Sequence, residues 1–90
     1  MDHKPIFELR ILLENAKNQV AVGAKYYHYK DTEKYYTVTG LIIWEPTDEV
    51  IVKYTMDEHP EIEFVRPLTT WLEVVEWDSK QVLRFTKVDG

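Results

Sequence analysis

Tyr26, His28 and Lys30 alternate along the chain, so any extended segment containing them carries a hydroxyl, an imidazole and an ammonium on one face. With Arg66 brought alongside by a sheet, they describe a site for a small anion. Arginine offers a planar fork for phosphate or carboxylate, lysine a point charge, and histidine a donor that becomes charged near neutral pH. The plainer alternative is that Arg66 pairs with one of the sixteen carboxylates and His28 is a hydrogen-bonded sheet residue. Neither a glycine-rich loop nor a helix start adds support for phosphate here.

Tyr29 belongs to a second constellation, since Tyr26, Tyr27, Tyr29, Tyr35 and Tyr36 are five of the six tyrosines. A four-residue turn over 31–34 sets Tyr29 opposite Tyr36. Such rings make either a platform for a base, a sugar or a proline-rich peptide, or ordinary cross-strand packing. Other groupings carry less. His59 stands in the acidic stretch Asp57-Glu58-His59-Pro60-Glu61, but three histidines and no cysteine fall short of the usual zinc ligand set, and no cofactor is expected. A terminal amine followed by Asp2 and His3 has the generic spacing for square-planar Cu(II) or Ni(II). Ser79 is the only serine and lies in a turn, and Thr69 and Thr70 have no histidine nearby in sequence, so no nucleophile is set up and no catalytic residue is assigned.

The elements that must position these residues are few. Ninety residues suffice for one domain and one modest core, burying roughly 60–65% of the unfolded surface. Without cysteine that core holds by packing alone, and Phe, Trp and Tyr, 13% of the chain, supply it. The first thirteen residues include Asp2, His3, Lys4, Glu8 and Arg10, which breaks any signal-peptide core, and no apolar run is long enough to span a membrane. A cytoplasmic location is expected. Net charge is −5, with the acid excess after Glu45, so general nucleic-acid binding needs a local basic patch against an unfavourable field.

Ile6, Leu9, Leu12 or Leu13, and Ala16 follow helical spacing after Pro5, predicting a surface helix over about 5–18 whose apolar side lies on a sheet. Beyond Gly23 the period changes to two. Strands are expected at about 25–30, 35–44, 49–56, 72–77 and 81–88, with turns at 31–34, 45–48, 57–61 and 78–80. Alternation buries Tyr36, Val38, Ile42 and Trp44 on one strand and Val50, Val52, Tyr54 and Met56 on its neighbour. Gly40 marks a bulge or bend, Arg66 is extended before Pro67, and 67–71 forms a helical turn. The expected architecture is mainly β, a small SH3-like barrel of about five antiparallel strands over 23–90, with a helix and connection over 1–22.

The run Tyr26-Tyr27-His28-Tyr29-Lys30, then Tyr36, Val38 and Gly40, Val52 and Tyr54, Val65-Arg66-Pro67-Leu68, and Arg84-Phe85 resembles the bacterial domain of unknown function 1653 family, in that order over about 23–88. The resemblance implies a small bacterial β domain without known chemistry. Phe64 stands where the family usually has tryptophan and Trp71 where it has phenylalanine. The leading helix lies outside the matched span.

Together these readings predict a binding or accessory module for an unknown small anion or protein partner, with Tyr26, His28, Tyr29, Lys30 and Arg66 as the ligand-binding residues. An enzyme on a small phosphorylated or acidic metabolite, with His28 as acid/base, is the first alternative; a nucleic-acid binder using the tyrosines is the second. Oligomeric state is open, because the helix can cover its own sheet or a neighbour's.

Overall fold

The computed structural model describes residues 3–89. Met1 and Asp2, part of the terminal metal motif, lie outside them. Pro5 holds φ −60 at the N-cap, and α1 follows over Ile6–Lys17 with Glu8 in its first turn. Ala16 is buried and Leu9, Leu12 and Leu13 are half-buried, but Ile6 is 63% exposed, so the inward stripe begins one turn later than the spacing predicts. Asp48, buried and in the left-handed region at φ 58, ties the segment before α1 to the rest. The Lys4 N–H donates to its carboxylate at 2.7 Å, and His3 Nδ1 lies 3.3 Å away.

Strands β1 (Lys25–His28), β2 (Asp31–Trp44), β3 (Glu49–Met56), β4 (His59–Pro67), β5 (Val74–Trp77), β6 (Lys80–Leu83) and β7 (Phe85–Lys87) follow, with α2 (Leu68–Trp71) between β4 and β5. Five form one antiparallel sheet in the order β4-β3-β2-β1-β7; β5 and β6 form a separate hairpin. The sheet does not close into a barrel: β4 and β7 remain its edges. The fold is therefore mainly β with a leading helix, but seven strands replace the expected five.

Three departures have local causes. Residues 57–61 are expected as a turn and Arg66 as extended, with no strand between β3 and the helical turn, yet 59–67 form a strand. They form β4 because this is an edge, where the missing proline N–H faces no partner strand. The first hairpin turns at Tyr29-Lys30 rather than at 31–34, so Tyr36 pairs with Tyr26 instead of Tyr29, and the register slips after Tyr27. Third, the phase of β2 changes at the Val38/Gly40 irregularity. Before it Val38 is buried; after it Leu41 packs on the core and Trp44 turns 49% exposed. In β3 the expected Val50, Val52 and Tyr54 are buried, but Met56 is only half-buried and Ile51 and Thr55 of the opposite phase are buried too, so this strand is covered on both faces rather than alternating. The hairpin of β5 and β6 turns through Asp78 and Ser79, both at positive φ, the geometry that suits a two-residue turn.

The core consists of Val20, Tyr26, Val38, Val52, Tyr54, Trp71 and Phe85. Trp71, delivered by α2, is its largest fully buried member. It stacks on Phe85 at 3.8 Å and an interplanar angle of 6°, and meets Tyr54 and Tyr26 at 5.2 and 5.4 Å. One short helical turn thus locks β1, β3 and β7 together through aromatic contacts. Among the described residues no helix is long and apolar enough to cross a membrane.

Candidate functional site

His28 ends β1, with Phe85 as its register partner on β7. Its ring lies 5.1 Å from Phe85, edge to face, and 4.5 Å from Tyr29. The Lys30 backbone N–H donates to His28 Nδ1 at 3.2 Å, which leaves Nε2–H as the donor of the neutral ring. That bond exists because the chain turns sharply at Tyr29-Lys30, bringing the amide of residue 30 back over the imidazole.

Arg66 reaches the same aromatic cluster from the opposite edge of the sheet. It sits on β4 opposite Val52, and its guanidinium carbon lies 5.3 Å from the Phe85 ring. The two residues that sequence alone could only place together by assumption therefore meet at one ring. Among the described residues Arg66 makes no ion pair with a carboxylate, and neither does Lys30. The plainer alternative, an Arg66 neutralised by acid, is not what the structure shows.

Arg84 completes the cluster, and the sequence reading did not name it as a site residue. Its backbone joins the hairpin to the sheet: its N–H donates to the Glu73 carbonyl at 2.9 Å and its carbonyl accepts from the Tyr29 N–H at 3.1 Å. Its side chain pairs with Glu73 and brings the guanidinium carbon to 6.0 Å from the Tyr29 ring. Nε is buried with no hydrogen-bond partner among the described residues. A partnerless charged donor in a buried position is costly. Its sequence signal was the Arg84-Phe85 pair, one of the pieces that carry the family resemblance.

Burial lowers the pKa of His28 below 6.5, and Arg66, Arg84 and Lys30 push it further in the same direction. All three cations therefore act on one imidazole. The Lys30 ammonium also stands 5.8 Å from the Tyr29 ring. On a chain of net charge −5, this corner is a local concentration of positive potential.

Tyr26 is corrected as a contact residue. It is 6% exposed, its hydroxyl accepts the Ala21 N–H at 2.9 Å, and its ring packs on Trp71, so it supports the site from below. Nor do the tyrosines form one platform: Tyr26 is in the core and Tyr36 packs against it, while Tyr35 is 42% exposed. His59 approaches Glu61 at 3.7 Å, and among the described residues no group of three or more His, Asp or Glu converges as a metal site.

Fold and site together define a small antiparallel β domain with a leading helix and a cationic aromatic corner. The family described as "Protein of unknown function (DUF1653)" matches residues 24–87, and the chain belongs to it. It is similar to a crystal structure of a protein belonging to DUF1653 from Bordetella bronchiseptica, with a TM-score of 0.63 and 32% identity over 78% of this chain and 90% of that one. No curated protein matches it. The family span contains His28, Tyr29, Lys30, Arg66 and Arg84 and leaves α1 outside.

Proposed function

We propose that the chain is a binding module for a small oxyanion, phosphate or carboxylate, held by Arg66, Arg84 and Lys30 around His28. The observation that carries this reading is the convergence of Arg66 and Arg84, far apart in sequence, on rings that both touch His28. Two of the three cations, Arg66 and Lys30, have no carboxylate partner among the described residues, and the third, Arg84, pairs with a Glu73 carboxylate whose side chain is 50% exposed. Forked donors beside aromatic walls bind planar and tetrahedral oxyanions well, because the low local dielectric strengthens the contact. The helix α1 acts as an added element outside the anion site. An SH3-like character for residues 23–90 is supported by the strand irregularities and the helical turn before β5.

A thermal-shift titration with sulfate and inorganic phosphate tests the reading. Either anion is expected to raise Tm in a saturable way, and Arg66→Ala is expected to abolish the rise while leaving the fold intact. No saturable stabilisation by phosphate, sulfate or a panel of small carboxylates overturns it.

A further inference from the structure

A groove of about 290 Å³ adjoins the cationic corner, lined by Tyr27, Tyr29, Trp77, Val82, Leu83 and Thr86. It lies between the β5–β6 hairpin and the strands β1 and β7. Trp77 and Leu83 are 47% and 49% exposed, large apolar side chains left in water at the groove. Tyr29 is shared: the edge-to-face contact at 5.2 Å joins it to Trp77, while Arg84 and Lys30 stand over its ring. One ring therefore separates an apolar slot from a pair of cations.

We infer that the natural ligand is a small molecule in which an oxyanion is joined directly to an aromatic or branched apolar body, the anion at Arg84 and Lys30 and the body against Trp77 and Leu83. This rests on the anion reading above and narrows it. Charge complementarity supplies the argument for the occupant. A wholly apolar ligand leaves the Arg84 and Lys30 charges unanswered, and a bare inorganic anion leaves the Trp77 and Leu83 surfaces wet. A ligand with both parts satisfies each, and the single-ring spacing limits the linker to a bond or two. Small-molecule sites commonly combine an apolar slot with a few convergent polar groups in this way.

The test is calorimetric titration of the full chain with phenyl phosphate, inorganic phosphate and phenol, using wild type, Trp77→Ala, Leu83→Ala and Arg66→Ala. Phenyl phosphate is expected to bind about tenfold tighter than phosphate, the factor that follows from withdrawing roughly 60 Å² of apolar surface from water. Trp77→Ala is expected to erase that advantage. Leu83→Ala, another exposed position, repeats the test independently should the hairpin be loosened by the first variant, which circular dichroism reports. Equal affinity for phosphate and phenyl phosphate overturns the inference and leaves the anion reading standing. Phenol binding without any phosphate binding overturns the inference, as does silence from all three, and silence from sulfate and the carboxylate panel as well overturns the anion reading with it.

Discussion

Arg84→Met removes the guanidinium and keeps most of the hydrocarbon stem, and it separates a functional arginine from a structural one. In the folded chain Nε is buried without a partner, a desolvation cost of about 1–3 kcal/mol. Against it stand the pair with Glu73, whose side chain is 50% exposed and whose contribution is therefore about 0.2–1 kcal/mol, and the contact over Tyr29, about 0.5–1 kcal/mol. Glu73 returns to water at no penalty. The balance predicts a variant between about 1 kcal/mol less stable and about 2 kcal/mol more stable. Binding moves the other way, because losing a charge-assisted hydrogen bond of about 1.5–3 kcal/mol weakens the anion complex by roughly 10- to 150-fold. Urea denaturation followed by circular dichroism measures the first effect, and sulfate titration the second. A variant destabilised by more than 2 kcal/mol refutes the reasoning: Arg84 would then be a strut between hairpin and sheet.

Below pH 6.5 the unfolded chain takes up a proton that folded His28 resists, so the stability present above that pH is lost as pH falls toward the depressed folded-state value. Bound sulfate, whose charge is constant over this range, raises the pKa of His28, so by reciprocity sulfate affinity rises as the solution is acidified. Calorimetry should show that slope in wild type and none in His28→Asn; a flat wild-type profile contradicts the site. Trp71→Ala should cost about 3–5 kcal/mol, a large part of the roughly 5–13 kcal/mol available to a chain of this length, and a loss under about 1.5 kcal/mol in a urea titration excludes Trp71 as the keystone of the core. The Asp57 pKa is lowered first by its contact with Lys25 and then by the Thr37 hydroxyl at 2.7 Å. Its contribution is present above pH 3.8 and lost as pH falls through the lower folded-state value. Asp57→Asn should therefore flatten the acid limb of the stability curve below about pH 4, and an unchanged limb rejects the assignment.

What the sequence disclosed follows from range. The helix after Pro5 and the bulge at Gly40 depend on neighbours within a few residues, and local pattern reports those directly. The exact turn of the first hairpin depends on which tyrosine faces the core, and five tyrosines in eleven residues make the alternatives nearly equivalent by pattern. β4 was hidden because an edge strand has little burial to impose alternation: its residues 59–65 are all exposed. In the site, His28 and Arg66 were legible as chemical types. Arg84 was not, because its importance comes from the hairpin inserted between β4 and β7, which returns the chain to Tyr29.

The same topology explains how an acidic chain makes a positive corner. With sixteen Asp and Glu against eleven Lys and Arg, a carboxylate beside every cation is easily arranged, and Lys25, Lys53 and Arg84 each have one. Arg66 and Lys30 have none among the described residues, although Glu61 and Glu63 share a strand with Arg66. The aromatic rings account for this. Arg66 is drawn over Phe85 and Lys30 over Tyr29, contacts that hold each charge without neutralising it. Phe85 is fixed in turn by Trp71, and Tyr29 by Trp77, so the spacing of the cations is set by packed rings rather than by flexible ion pairs. A cation held in that way meets an incoming anion with its charge available and little ordering left to do, which is the physical condition for a site rather than a surface.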